Sequence, residues 1–378
     1  MYQALYRKWR PMSFDDVVSQ PHITTTLKNQ IKSGKTAHAY LFTGSRGTGK
    51  TTCARIFAKA INCLDPHDGE PCLECEICKD ADNGTLSDII EIDAASNSKV
   101  DDIRELREGV VYTPERCKYK VYIIDEVHML SAGAFNALLK TMEEPPPHVK
   151  FILATTEIHK VPATIVSRCQ HFDFHRIKNE DIVSRLMYIA SQEGFTLHED
   201  AAGMIARLSD GGMRDALSLL DQCVAYENDI TLDVVSSASG IAGRDYLFDI
   251  LEKIAEKDAA GALRVVDKLY DMSKDLKVLA GELLAQMRNV MIIKTIDNNK
   301  DLITCLPDEY ERLKALAERM KLDEILGDIN TLQECSERFA KSTSKRIELE
   351  MCIIKLCGAA QKAGATVQAV SGNAEITV

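Results

Sequence analysis

From Ala39 to about Phe174, short β-branched or aromatic runs alternate with stretches of helical period. The runs are Ala39-Tyr-Leu-Phe-Thr43, Ile89-Ile-Glu-Ile92, Val121-Tyr-Ile-Ile124, Phe151-Ile-Leu-Ala154 and Phe172-Asp-Phe174. Near-continuous apolar runs suit strands covered on both faces, so the pattern predicts an α/β domain with a mostly parallel sheet. Between the third and fourth runs, Ser131 is suited to cap a helix whose Phe135, Leu138, Leu139 and Met142 recur at i, i+3, i+4 and i+7. Pro145-Pro146-Pro147 stops it. One face of that helix should pack on the sheet.

After about Lys178 the strands are expected to stop. Ile182, Leu186 and Ile189 begin a helical period that resumes through Met204 to Leu208 and Met213 to Leu220, which predicts a small helical domain. Ser236 to Gly243, rich in Ser and Gly, reads as a hinge. Leu, Ala, Lys and Glu then dominate through Cys357, and Ile347, Met351 and Ile354 are spaced as one helix face, so a third, helical domain is expected. Ala359 to Val378 hold no sustained period and read as a tail or linker. The expected boundaries are 1–178 with an insertion at about 62–80, then 179–242, 243–360 and 361–378.

Charge narrows the function classes. With 46 basic against 57 acidic residues the 378-residue chain has a formal charge of −11, so any nucleic-acid contact must come from a local patch. A hydrophobic content of 45% and a charged content of 27% fit a soluble globular protein, and no run approaches the roughly eighteen apolar residues of a membrane span. Met1 to Pro11 is aromatic and basic and lacks the apolar centre of a secretory signal, so a cytoplasmic chain is expected. In that setting the 12 cysteines read as reduced thiols, core residues or metal ligands.

Directly after the first strand stands Gly44-Ser45-Arg46-Gly47-Thr48-Gly49-Lys50-Thr51, which fits G-x-x-x-x-G-K-[ST] and leads into a helical pattern through Ile56, Ala60 and Ile61. Glycines let backbone N–H groups curl around phosphates, Lys50 neutralises the β and γ oxygens, Thr51 suits Mg²⁺, and the helix N-terminus favours the anion. The candidate nucleotide contacts therefore run from Gly44 to Thr52: Gly44, Ser45, Arg46, Gly47, Thr48, Gly49, Lys50, Thr51 and Thr52. The third strand ends in Asp125-Glu126. Asp125 would orient Mg²⁺ and its water, and Glu126 would polarise the attacking water. Such a pair alone is commonly a solvated turn; behind a P-loop it specifies a nucleotide hydrolase. Thr155 and Thr156, just past the fourth strand, stand where a γ-phosphate sensor would, with an ordinary turn as the competing reading. Arg168 and Arg214 are candidates to stabilise transferring phosphate, although most arginines are merely surface residues.

Cys63, Cys72, Cys75 and Cys78 give C-x8-C-x2-C-x2-C, with Gly69 and Pro71 shaping the turn. Four close thiolates in a reducing compartment suit the closed tetrahedral cage of structural Zn²⁺, with redox-active or incidental thiols as the competing reading. The other eight cysteines, among them Cys53, Cys223 and Cys352, are expected to be core residues.

Taken together, Tyr6-Arg-Lys-Trp-Arg-Pro11, the P-loop, the four-cysteine insertion, Glu91-Ile-Asp-Ala-Ala-Ser96, Asp125-Glu-Val-His128, Phe135-Asn-Ala-Leu-Leu-Lys140, Ser167-Arg-Cys169 and Met213-Arg-Asp-Ala-Leu-Ser-Leu219 resemble the gamma/tau family of bacterial DNA polymerase III, the AAA+ motors of clamp loaders. The likeness is dense from Met1 to about Cys223 and architectural beyond. It implies an AAA+ core, a helical lid and a helical collar. It further implies that Lys50 and Thr51 bind ATP and Mg²⁺, that Glu126 is the hydrolytic carboxylate, and that Thr155 or Thr156 is the first sensor and Arg214 the second. Arg168 would be the finger acting on a neighbouring subunit's ATP, Tyr6 to Pro11 with Val17 and Val18 would flank the adenine, and the four cysteines match the family's zinc ligands.

The partners implied are copies of this chain, delta- and delta-prime-type clamp-loader subunits, the sliding clamp and primer-template DNA, with no membrane. ATP bound between subunits would favour an arrangement that opens the clamp, and hydrolysis on DNA would release it. Lys99, Arg104 and Arg107 are candidate DNA contacts, a solvated helix face being the equal alternative. The family's long form continues into segments that bind the replicative helicase and the polymerase core, so those partners are expected only of a longer form. Two rival readings remain: a DExH-type helicase, suggested by Asp125 to His128 but in want of a second strand-rich motor domain, and a scaffold that binds nucleotide without turnover.

Overall fold

In the computed structural model the described residues are 3–96, 106, 108–240, 245–297, 299, 302–303, 305, 307–339 and 342–358. Lys99, Arg104, Arg107, the end of the Ser236–Gly243 segment and the 361–378 tail lie outside them. The chain divides into two compact units, residues 1–239 and 240–378.

The first unit begins with α1 (Leu5–Lys8) and α2 (Pro21–Ser33). They lead into β1 (Ala39–Gly44), α3 (Lys50–Asn62), α4 (Glu76–Asn83), β2 (Ile89–Asp93), β3 (Lys120–Asp125), α5 (Ala132–Glu143), β4 (Val149–Thr155), α6 (Ala163–Val166) and β5 (Gln170–Phe174). All five apolar runs are strands. They pair in parallel in the order β2-β3-β4-β1-β5, with β4 buried along its whole length. Alternate residues face opposite layers. Tyr40, Phe42, Ile123 and Ile152 pack with Ile56, Phe57 and Ile61 of α3 and with Ile23 and Leu27 of α2. Leu41, Tyr122, Ile124 and Leu153 pack with Phe135, Leu138 and Met142 of α5. Ser131 Oγ accepts the Ala134 N–H at the start of α5, and the helix stops at Glu143, ahead of the three prolines. β1 lies between β4 and β5, and because all five strands run parallel the carboxyl ends of β1, β3 and β4 lie along one edge of the sheet, where open α/β sheets bind ligands.

Past Lys178 come α7 (Asn179–Glu193), α8 (Glu199–Leu208), α9 (Met213–Tyr226) and α10 (Leu232–Ala238). The strands do not stop entirely, as the pattern had suggested: β6 (Thr196–Leu197) and β7 (Asp229–Ile230) pair in parallel between these helices. Two residues per strand are too short to register as an alternation. Ser236 is a buried residue in the last turn of α10 rather than part of a hinge, and the boundary between units falls after Ser239.

The second unit is helical throughout its described residues, with α11 (Asp245–Ala255), α12 (Ala259–Asp271), α13 (Leu276–Thr295), α14 (Pro307–Arg319), α15 (Leu322–Arg338) and α16 (Lys345–Leu356) around one apolar core. No second strand-rich motor domain occurs among them. The face of α16 is not the expected one: Leu349, Cys352, Ile353 and Leu356 are buried, whereas Ile347 is 55% and Met351 44% exposed. The helix carries apolar side chains on two faces, and spacing alone could not choose between them. Cys53, Cys223, Cys335, Cys352 and Cys357 are buried as expected, whereas Cys117, Cys169 and Cys305 are only partly buried. No described helix is long and apolar enough to cross a membrane.

Candidate functional site

The loop after β1 is shaped by glycines in left-handed backbone. Gly44 has φ 134°, and a Cβ there would sit 2.2 Å from the Phe174 carbonyl oxygen of β5. Gly47 has φ 77° and lies against the backbone of Gly212 at the foot of α9. Its carbonyl accepts the Met213 N–H at 3.1 Å, so loop and lid helix touch directly. Thr48 is buried and donates to the Ser45 carbonyl at 2.8 Å. Lys50, only 6% exposed, donates from Nζ to the Gly44 and Ser45 carbonyls, both at 2.8 Å, and so lies across the mouth of the loop. Burial holds its pKa below the usual lysine value, with Glu126 and Asp125 pulling it back.

The two acids at the end of β3 meet this loop. Thr51, in the first turn of α3, donates from Oγ1 to Asp125 Oδ2 at 2.7 Å. Two oxygens so close suit adjacent positions around Mg²⁺, for which metal–oxygen distances of about 2.1 Å place neighbouring ligands about 2.9 Å apart. Glu126 adopts φ 46° and ψ 46°, a left-handed conformation that costs a non-glycine residue roughly 1 kcal/mol or more and is common at functional sites. Its N–H donates to Asp125 Oδ1 at 2.9 Å. Its Oε2 accepts from Thr156 Oγ1 at 3.0 Å and from Thr156 N at 3.3 Å. Thr155 is buried on β4 and turns the other way, to His128 Nδ1 at 3.0 Å. The two threonines therefore occupy different positions, which adjacency in sequence did not reveal.

The N-terminal segment closes one side. Arg10 donates from Nε to Thr52 Oγ1 at 3.1 Å, and burial, reinforced by Arg55, pushes its pKa down to about 10. Arg214 on α9 stands 5.1 Å over the Tyr6 ring. Lys8 and Trp9 both hold Glu193 of α7 at 2.7 Å. Arg46 is exposed and directed to Asp215 at 3.9 Å, not into the loop. Arg168 also stands apart: it donates to the Thr164 carbonyl at 2.8 Å and to Glu143 at 2.9 Å, and neither partner belongs to the phosphate loop. Sequence reasoning missed the roles of Arg10 and His128; both sit inside quoted motifs, but their partners are distant in the chain.

The cysteine insertion forms a second site. The sulfurs of Cys63, Cys72, Cys75 and Cys78 all lie within 4.8 Å of one another, with Cys63–Cys75 and Cys72–Cys78 at 4.0 Å. A tetrahedron with Zn–S of about 2.3 Å has edges of about 3.8 Å, so the cage fits that ion. Backbone N–H groups of Cys72, Cys75 and Cys78 point at the sulfurs of Cys63, Cys72 and Cys75 at 3.3 to 3.5 Å, an arrangement that stabilises thiolates. The insertion is moored to the core: Glu70 accepts the Phe14 N–H at 2.8 Å and pairs with Lys28 at 2.9 Å, and Gly69 lies against the Lys28 backbone.

Comparison with known proteins gives a consistent picture. Residues 19–178 match a family described as DNA polymerase III, delta subunit. Residues 181–229 match the DNA polymerase III clamp loader subunit, ATPase lid domain, and 230–368 match DNA polymerase III subunits gamma and tau domain III. The chain is 44% identical over 365 residues to DNA polymerase III subunit tau of Bacillus subtilis strain 168, covering 96% of this chain and 65% of that protein. It is 40% identical over 318 residues to subunit gamma of Buchnera aphidicola subsp. Schizaphis graminum, covering 84% and 87%. It is 39% identical over 355 residues to subunit tau/gamma of Haemophilus influenzae, of which it spans 51%.

Proposed function

Because the chain belongs to the gamma/tau family of DNA polymerase III subunits, we propose that it is the ATP-driven motor subunit of a clamp loader. It binds ATP in an AAA+ fold and hydrolyses it at subunit interfaces to place the sliding clamp on primed DNA. The observation that carries this is the Thr51–Asp125 bond, which joins the phosphate loop to the two acids at the carboxyl end of the sheet. When bound, Mg²⁺ would be held by Thr51 and Asp125 and would neutralise phosphate charge.

Each side chain then has a task. Lys50 exchanges its two loop carbonyls for β and γ oxygens of the nucleotide. Glu126 Oε2 is held by Thr156, and its Oε1, which has no partner among the described residues, accepts a hydrogen bond from the attacking water. Thr155 or Thr156 senses the γ-phosphate from the carboxyl end of β4, and Arg214 reaches the nucleotide from the lid, above Tyr6. Arg168 serves a neighbouring subunit's nucleotide, a reading supported by its partly buried side chain being held on exposed Glu143, away from its own loop. The four cysteines hold a structural Zn²⁺, which supplies rigidity and no chemistry. The partners are further copies of this chain, delta- and delta-prime-type subunits, the clamp and primer-template DNA, in the cytoplasm.

The test is ATP turnover measured with and without primed DNA, the clamp and the partner subunits. Stimulation that requires all of them supports clamp loading. Full-speed turnover by a verified monomer, indifferent to any addition, would refute it.

A further inference from the structure

His128 lies on a 3-10 turn, Val127–Met129, that follows the two acids. Its side chain is 7% exposed, and both ring nitrogens face polar partners. Nδ1 lies 3.0 Å from Thr155 Oγ1 and 3.4 Å from Glu126 Oε2. Nε2 lies 3.4 Å from Glu157 Oε1. Glu126 Oε2 is thus enclosed by Thr156 N–H and O–H on one side and by His128 Nδ1 on the other. Among the described residues no hydrogen bond joins Thr155 to Glu126; the shared neighbour is Nδ1. Thr155 Oγ1 also accepts the Glu157 N–H at 3.0 Å, which fixes that hydroxyl in place against the ring.

A buried histidine with one hydroxyl partner would be an ordinary core residue. Here the same nitrogen borders both the sensor strand and the carboxylate whose backbone is held left-handed, and a shift of Thr155 Oγ1 cannot leave Nδ1 undisturbed. We propose that His128 is a positioning residue for Glu126: through Nδ1 it transmits the position of Thr155 to the carboxylate. The proposal rests on the reading of Glu126 as the hydrolytic group. Nε2 and Glu157 orient the ring and carry none of the transmission.

The experiment is steady-state ATP turnover by the full chain, assembled with its clamp-loader subunits, clamp and primed DNA, with ATP affinity measured by calorimetry. His128→Ala lowers kcat by about 10- to 100-fold, the scale of a misplaced catalytic group, while KM and the ATP Kd stay within about twofold. His128→Asn, whose amide reaches the Nδ1 position, recovers most of the rate; His128→Gln, which reaches the Nε2 position, does not. Equal losses in all three variants, or a loss expressed in KM and Kd, would mark a packing role and overturn the proposal. With Glu126→Gln inactive, an unchanged kcat in His128→Ala overturns it alone; normal turnover by Glu126→Gln overturns the reading of Glu126 and the proposal with it.

Discussion

Replacing Lys50 by methionine isolates the ammonium group, because the unbranched side chain keeps the buried stem of the lysine. Without nucleotide, Nζ donates to the Gly44 and Ser45 carbonyls, both at 2.8 Å. A hydrogen bond from a charged donor contributes about 1.5–3 kcal/mol net, and these two share one desolvated charge, so Lys50→Met should cost the fold no more than about 3 kcal/mol. For ATP the loss is larger in consequence. Lys50 trades neutral carbonyls for anionic β and γ oxygens, and leaving those anions without their cation costs about 3 kcal/mol beyond the carbonyl bonds already lost, so binding weakens by about 100-fold, since 1.4 kcal/mol is a factor of ten. Titration calorimetry on the folded variant measures the affinity, and a thermal melt separates it from unfolding. An ATP Kd within twofold of the parent, on a variant that still melts cooperatively, would remove the phosphate-site assignment.

Arg168→Ala should retain ATP binding, since its bond to Glu143 is an exposed ion pair of about 0–1 kcal/mol, yet lose hydrolysis; turnover should return when it is mixed with Glu126→Gln subunits, and a wild-type rate for Arg168→Ala alone would refute the interface role. Metal analysis should find about one zinc per chain, and Cys78→Ser should release it and lower the melting temperature; a metal-free preparation with an unchanged melt would refute the cage. Buried Asp88 accepts N–H groups of Glu115, Arg116 and Cys117, each at 2.9 Å. Burial raises its pKa, but the N–H groups of Arg116, Glu115 and Cys117 outweigh it and the net shift is downward. Its contribution is therefore complete above the unfolded value near 3.9 and is lost as pH falls through the lower folded value; urea melts from about pH 2 to 7 should show Asp88→Asn less stable by about 1–3 kcal/mol at neutrality, with the gap closing in acid. A gap that persisted to the lowest pH would refute that linkage.

What was legible in the sequence was what is local. The P-loop is eight consecutive residues, and Gly44, Gly47 and Gly49 all hold positive φ, so the local backbone that the motif predicts is present, while the partners that crowd Gly44 and Gly47 lie far along the chain and Arg46 turns away. The five strands were legible because both faces of the sheet are covered, which forces continuous apolar runs. The four cysteines needed only their spacing. By contrast, the division of labour between Thr155 and Thr156 depends on the left-handed turn at Glu126 and on His128, and neither leaves a periodic trace. The exposed face of α16 was misassigned for the opposite reason: too many apolar residues, and no pattern to rank the faces.

Two segments far apart in the chain reach the phosphate loop and its helix, and their bonds differ in kind. Arg10 reaches Thr52 by a side chain, and the lid meets Gly47 by backbone alone. The Met213–Gly47 bond is insensitive to side-chain identity at Met213, but Gly47, with φ 77°, has no room for a Cβ, which would meet the Gly212 Cα at 3.0 Å, and a Cβ at Gly212 would meet the Arg46 carbonyl at 3.0 Å. One backbone hydrogen bond contributes about 0.5–1.5 kcal/mol net, a factor of roughly 2 to 13 in population. It is one tie among several, since Lys8 and Trp9 hold Glu193 of the lid at 2.7 Å and the Gly211 carbonyl accepts the Ile177 N–H at 3.1 Å, and a nucleotide bridging Lys50 and Arg214 would add to contacts that already join lid and core.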